Sequence, residues 1–246
     1  MAAQSFQPVV LLTRPAAQSA RFAQSLRARL QGVRIVTSAL IAPVFREPIL
    51  PDERFAGVIL TSETGAQAAG RWKARLPHMA FCVGDRTGLV AQQAGFATLS
   101  AKGDAMALVD LILSQPRSPL LHLRGREVRS DLVGQLAAHG IVAQDVVVYA
   151  QEAQPLTTEA EVLLTSTQPV LVPVFSARSA QILMAEYRRI GGKAPVVVIA
   201  MSAAVAEAVA EAAAGLGDAP ARVARHPDGE SMLEAVVAAC DAGQGA

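Results

Sequence analysis

The chain has 246 residues, 52% hydrophobic and 17% charged, with a formal net charge of +1. That length serves one large domain or two of ordinary size, and the composition excludes a disordered chain. The balanced charge gives no electrostatic reason to expect nucleic acid as a partner. Of the 22 basic residues 19 are arginine. A GC-rich genome explains that bias as readily as selection for anion binding, although the planar guanidinium does suit carboxylates and phosphates. The two cysteines, Cys82 and Cys240, stand outside any CxxC pair, which argues against a disulfide scaffold or a cysteine-rich zinc site. The histidines His78, His122, His139 and His226 are scattered, with no HExxH spacing. No charged region followed by an apolar core opens the chain, so a cytoplasmic location is expected. The most apolar stretch, Pro195 to Gly217, is interrupted by Ser202, Glu207 and Glu211. It reads as a strand and an amphipathic helix, with no expectation of a membrane.

In chain order, apolar runs of strand length alternate with longer helical patterns. PVVLLTR (Pro8 to Arg14) reads as a strand, and Ala16 to Leu30 as a helix with Phe22, Leu26 and Leu30 on one face. VILTS (Val58 to Ser62) precedes a helix to about Leu76, and MAFCVG (Met79 to Gly84) one to about Ala94 that stops at Gly95. Phe96 to Leu99 is a short strand, and Asp104 is placed to cap a helix through Leu113. LLHLRG (Leu120 to Gly125) precedes a helix to about His139, and Val142 to Tyr149 is extended. VLVPVFS, VVVIAMS and ARVARHP repeat the strand role, each before a helix. Strands that are apolar throughout and alternate with helices predict parallel sheets covered on both faces.

An internal repeat sets the expected layout. VILTSETGAQ, FCVG and ATLSAKGDAM align in order with PVFSARSAQ, VVIAMS and ARVARHPDGESM. The unit that the second copy lacks, LLHLRGR-helix-DVVVY, resembles VVLLTRP-helix-VRIVTS at the start of the chain. The expectation is two doubly wound, flavodoxin-like α/β domains. One, residues 1–37 with 152–246, is built from both ends of the chain; the other, 38–151, is inserted. Extended linkers near 35–43 and 145–155 would pair as a two-stranded hinge.

Ligands of open parallel sheets bind beyond the carboxyl ends of the strands. The residues there include Arg14, Thr61, Ser62, Gly84, Thr87, Arg124, Gly125, Ser176 and Ser202. Helix N-termini with free N–H groups favour anions. Each serine or threonine taken singly is also an ordinary helix cap. No GxxxxGK[ST], no GxGxxG after a strand and no GxSxG occurs. Covalent and metal catalysis have no visible machinery, which leaves a cleft that positions an anionic ligand. Tyr149, one of two tyrosines, closes DVVVY at the domain crossing. It reads equally as a hinge-packing ring or as a phenol that donates to a leaving oxygen.

VVLLTRP, VILTS before a helix, FCVGDRT, LLHLRGREVRSDL, VVVY and VFSARSA together resemble uroporphyrinogen-III synthase, in order and over nearly the whole chain. The resemblance implies a two-domain enzyme of tetrapyrrole biosynthesis that needs no cofactor. It would close hydroxymethylbilane into uroporphyrinogen III, with loss of water and inversion of ring D. Tyr149 then maps to the family's tyrosine that assists departure of the hydroxyl. Thr61 and Ser62 map to its Thr-Ser pair, Gly84 and Thr87 to its Gly-x-x-Thr, and Ser176 to its second-domain serine. The departures are Thr64, where the family often has asparagine, Phe175 before Ser176, and Ser202-Ala203-Ala204-Val205 in place of a second Gly-x-x-Thr. Arg178 is a candidate replacement anion contact. A monomer is expected, with room for a transient contact with the preceding enzyme of the pathway. The competing readings are a non-catalytic two-lobed binding protein for a polyanionic small molecule and a synthase paralogue without turnover.

Overall fold

The computed structural model of the chain describes residues 9–127, 130–215 and 221–244. In chain order the elements begin β1 (Val9–Leu12), α1 (Ala16–Arg29), β2 (Arg34–Thr37), β3 (Ile41–Phe45), β4 (Gly57–Leu60) and α2 (Glu63–Arg71). They continue β5 (Met79–Cys82), α3 (Asp85–Gln93), β6 (Ala97–Ser100), α4 (Ala105–Ser114), β7 (Leu120–Gly125), α5 (Leu132–Ala137) and β8 (Ala143–Ala153). The last are α6 (Thr158–Thr165), β9 (Val170–Val174), α7 (Ala177–Arg189), β10 (Val196–Ala200), α8 (Ala203–Ala212), β11 (Ala221–Val223) and α9 (Gly229–Gln244). None of the described helices is long and apolar enough to cross a membrane.

Several helices start where a side chain satisfies orphan N–H groups. Ser62 Oγ accepts from Gly65 N–H, Asp104 from Met106 and Ala107, and Asp131 from Gly134. Each such cap stabilises its helix by about 1 kcal/mol. The chain departs from the sequence reading in three places. A single 3₁₀ turn, Lys73–Arg75, follows α2, so no helix runs to Leu76. The helix after β7 is six residues long and starts only at Leu132, behind its Asp131 cap. Helix α6 was not expected; Thr157 caps it, and Glu159 and Glu161 sit in its first turn.

By contacts the chain divides into two compact units, Pro43–Glu152 and the residues up to Ala42 together with those from Ala153. The second of these holds a sheet ordered β11-β10-β9-β1-β2, parallel throughout. Numbered along the chain within the unit, that is the flavodoxin-like order 2-1-3-4-5. Alternate residues divide the two faces. Val9 and Leu11 join the core under α6, α7 and α8, whereas Val10 and Leu12 join the core under α1 and α9.

The unit Pro43–Glu152 carries the order β8-β7-β4-β5-β6, with β3 added beyond β8. Read as β7, β8, β4, β5, β6, this is the same 2-1-3-4-5 order, permuted. Val58, Leu60, Leu121 and Leu123 pack against α2 and α3; Ile59, Phe81 and Leu120 pack against α4 and α5. Leu40 O accepts from Gln154 N–H and Val148 O from Arg46 N–H, so β3 runs antiparallel to β8.

Candidate active site

In a 2-1-3-4-5 sheet the strand order reverses between the first and third strands, and a crevice opens there beyond the carboxyl ends. In the unit Pro43–Glu152 those strands are β7 and β4. Arg124 and Gly125 end β7, and Thr61 and Ser62 follow β4. Tyr149 stands beside them because of a bulge. The register pairs Arg124 with Val147 but Gly125 with Tyr149. Val148 is the extra residue, so Val148 and Tyr149 both join the core on the α2–α3 face.

There the Tyr149 ring lies across Gly125. A Cβ on Gly125 would stand 2.7 Å from Tyr149 Cζ and 2.9 Å from its hydroxyl oxygen. Tyr149 OH is 3.0 Å from Ser62 Oγ, which accepts from Gly65 N–H at 2.9 Å. Thus Ser62 caps α2 and holds the phenol at once. Gly65 is packed nearly as closely, with a Cβ there 3.0 Å from Leu123 O.

The opposite face of the same strands carries a second polar array. Thr61 Oγ1 is 3.2 Å from His122 Nε2, and His122 Nδ1 is 2.8 Å from Asp145 Oδ1. Arg124 Nε lies 2.8 Å from Asp145 Oδ2, a close ion pair without the alignment of a linear hydrogen bond. Arg124 Nη1 donates to the carbonyls of Gly125 and Arg126. His122 is 4% exposed. Burial lowers its pKa below the ordinary imidazole value; the Asp145 charge and hydrogen bond oppose that, and the Arg124 charge adds to it. His122 and Asp145 were not among the expected site residues. The signal was present: His122 and Arg124 are polar at a spacing of two in an apolar strand, and so share one face.

Gly84 and Thr87 lie elsewhere in this unit, in an open depression of about 340 Å³ shared with Asp85, Arg86, Lys102 and Gly103. Gly84 caps α3 in extended conformation and a Cβ there would meet nothing, while Thr87 is buried. Thr64 is half-buried in the first turn of α2.

In the other unit the reversal falls between β1 and β9. The Arg14 guanidinium carbon sits 4.1 Å from the centroid of the Phe175 ring, which meets Phe22 edge-on at 5.5 Å. Burial and, second, the charge of Arg21 lower the Arg14 pKa. Ser176 Oγ accepts from Ser179 N–H and bonds Ser179 Oγ, capping α7. Arg178 is exposed in the first turn of α7. Ser202 precedes α8, but its hydroxyl does not cap it, contrary to the capping reading.

Fold and sites together define an open parallel α/β protein whose polar groups gather at the ends of its strands. Among solved structures it is similar to uroporphyrinogen-III synthetase from Helicobacter pylori, at 17% identity and a TM-score of 0.58, covering 95% of this chain and 99% of that one. A mutant uroporphyrinogen III synthase from the extremely thermophilic bacterium Thermus thermophilus aligns at 16% identity and a TM-score of 0.45, covering 96% and 99%. No curated protein matches the sequence. The family model described as uroporphyrinogen-III synthase HemD matches residues 20–234. The chain therefore belongs to the uroporphyrinogen-III synthase family, the cyclising lyases of porphyrin and heme biosynthesis.

Proposed function

We propose that the chain closes hydroxymethylbilane, the substrate of its family, into uroporphyrinogen III, and that Tyr149 assists the loss of water. The observation that carries the role of Tyr149 is its hydroxyl, 3.0 Å from Ser62 Oγ at the β4–β7 reversal. With Ser62 Oγ accepting from Gly65 N–H, the Ser62 proton is free to point at the phenol oxygen. Tyr149 O–H is then left to donate outward, to the hydroxyl that departs from the first pyrrole. An electron-rich pyrrole expels that hydroxyl as water to give a stabilised azafulvene, so one neutral hydrogen-bond donor is sufficient acid.

The harder task is geometric. Ring D must attack through its substituted carbon, giving a spiro intermediate, and the flexible chain closes without inversion unless it is held. Groups suited to holding the substrate's carboxylates are Arg14, the N-terminus of α7 behind Ser176, and the depression where Gly84 and Thr87 meet Arg86 and Lys102. The reading includes a monomer in the cytoplasm.

The test is to supply hydroxymethylbilane, oxidise the products and separate the porphyrin isomers. Isomer III is expected; isomer I at the no-enzyme ratio would refute the activity. Tyr149→Phe should lower kcat by roughly ten- to a hundredfold, the size of one hydrogen bond to an oxygen that gains charge, with an unchanged circular dichroism spectrum. Unchanged turnover would reduce Tyr149 to a packing residue.

A further inference from the structure

The array Thr61–His122–Asp145–Arg124 has no counterpart among the described residues of the other sheet. Aligning the sheets on their capping serines, Ser62 and Ser176, sets Thr61 against Phe175. The strand registers then set Arg124 against Arg14 and His122 against Leu12. Apolar side chains, Phe175 and Leu12, fill in that unit the positions that Thr61 and His122 hold in the other, while an arginine and Thr37 stand opposite Arg124 and Asp145. A buried polar array is stable only when each member is satisfied, and an apolar replacement is on hand in the same chain. The array also has an open end: Thr61 is half-buried and stands at the strand reversal.

Proton accounting sets the direction of the array. Asp145 is a carboxylate paired with Arg124 and only accepts. His122 Nδ1 must therefore carry hydrogen and donate to it at 2.8 Å. In the neutral ring Nε2 is then a bare lone pair, and the partner at 3.2 Å, Thr61 Oγ1, must donate. With its own proton committed, the Thr61 hydroxyl faces a ligand as an acceptor. A carboxylate needs a donor, so this hydroxyl is not set to bind one. The donors that hydroxymethylbilane offers are its pyrrole N–H groups and its terminal hydroxyl.

We propose that His122 is a positioning residue that fixes the Thr61 hydroxyl as an acceptor for a pyrrole N–H of the substrate. This rests on the hydroxymethylbilane reading. An acceptor on the pyrrole nitrogen also raises the ring's electron density, which favours expulsion of the hydroxyl. The charged groups acting on His122 are Asp145 on β8 and Arg124 on β7; α4 and α5 cover this face with Leu108, Ile112, Leu132 and Leu136. Protonated His122 donates from both nitrogens. Thr61 then accepts from Nε2, and its released proton competes with the remaining lone pair for the side that faces the pyrrole N–H, so binding weakens.

Two measurements on the intact chain test this. Nitrogen NMR of the substrate-free protein near neutral pH should show neutral His122 with the proton on Nδ1. An Nε2–H tautomer or a protonated ring overturns the proposal without reference to activity. In the cyclisation assay kcat/KM should fall on the acid side as His122 protonates. Asp145→Asn should move that limb to lower pH, because Asp145 raises the His122 pKa. His122→Leu should lower kcat/KM roughly tenfold, the size of one hydrogen bond, and lose the limb. Thr61→Ser should keep the limb and Thr61→Val should lose it. A purely structural array gives no titrating limb. Wild-type formation of isomer III with unchanged His122→Leu kinetics overturns this proposal alone. Absence of isomer III overturns the reaction, and this proposal with it.

Discussion

Gly125→Ala is the sharpest test of how Tyr149 is held. The added Cβ would lie 2.7, 2.9 and 2.9 Å from Cζ, Cε2 and the hydroxyl oxygen of Tyr149. Real Cβ atoms do not approach so closely, so either the ring or the strand must move. Gly125 does not have positive φ, so alanine meets no backbone penalty and the whole cost is the contact. Overpacking of this kind costs about 1–3 kcal/mol. Loss of the Tyr149–Ser62 hydrogen bond accounts for roughly 1 kcal/mol of that. Alanine returns about 0.4–1 kcal/mol by restricting the unfolded chain. A net loss of about 1–2 kcal/mol should lower Tm by roughly 2–8 °C in a chain of this size. Repeated in Tyr149→Ala, where the ring is gone, the same substitution should stabilise by up to ~1 kcal/mol. The assay is a double-mutant cycle of thermal unfolding, with turnover measured on Gly125→Ala alone, which should fall with the displaced phenol. Equal effects of the glycine substitution in both backgrounds would refute the packing argument.

Ser62→Ala removes the α2 cap and the partner of Tyr149 OH together. It should cost about 1–2 kcal/mol in urea unfolding and lower kcat; a loss confined to stability would show that the phenol needs no support. The folded His122 pKa lies below the unfolded value of 6.5. Between the two the unfolded chain binds more protons, so the His122 contribution is complete above 6.5, is lost as pH falls toward the folded pKa, and then levels off. Urea midpoints across that window should fall less steeply with decreasing pH in His122→Leu than in the wild type. Phe175→Leu removes the ring under Arg14, worth roughly 0.5–2 kcal/mol for a partly buried guanidinium. If Arg14 binds a substrate carboxylate, KM should rise severalfold with little change in kcat; an unchanged KM would leave Arg14 a structural cation.

Apolar runs too short for helices, alternating with helical patterns, were enough to read parallel sheets covered on both faces, because a strand buried on both sides has no polar face to show. The repeat likewise anticipated that each β–α–β unit recurs. Caps at Ser62 and Asp104 were readable because a cap is a local bond between a side chain and an N–H two or three residues on. Helix α6 was as local, with Thr157 and two first-turn acids, and its signal was missed.

The candidate site was only half readable. Sequence by itself placed Thr61, Ser62, Arg124 and Gly125 at strand ends, since those positions follow from where apolar runs stop; Tyr149, expected to close its run, lies inside β8, which continues to Ala153. Sequence could not say which of these residues touch. Strict alternation from Val146 and Val148 would turn Tyr149 to the opposite face; the bulge at Val148 brings it over Gly125 and onto Ser62. A bulge arises from pairing between strands far apart in sequence, so no local pattern announces it. Nor could spacing join His122 to Asp145 and Thr61, which meet only when β7 lies between β8 and β4. Sequence determined the elements, because periodicity and capping are properties of neighbours. Tertiary structure alone decided the hydrogen bonds of the site, because register between distant strands is set by packing.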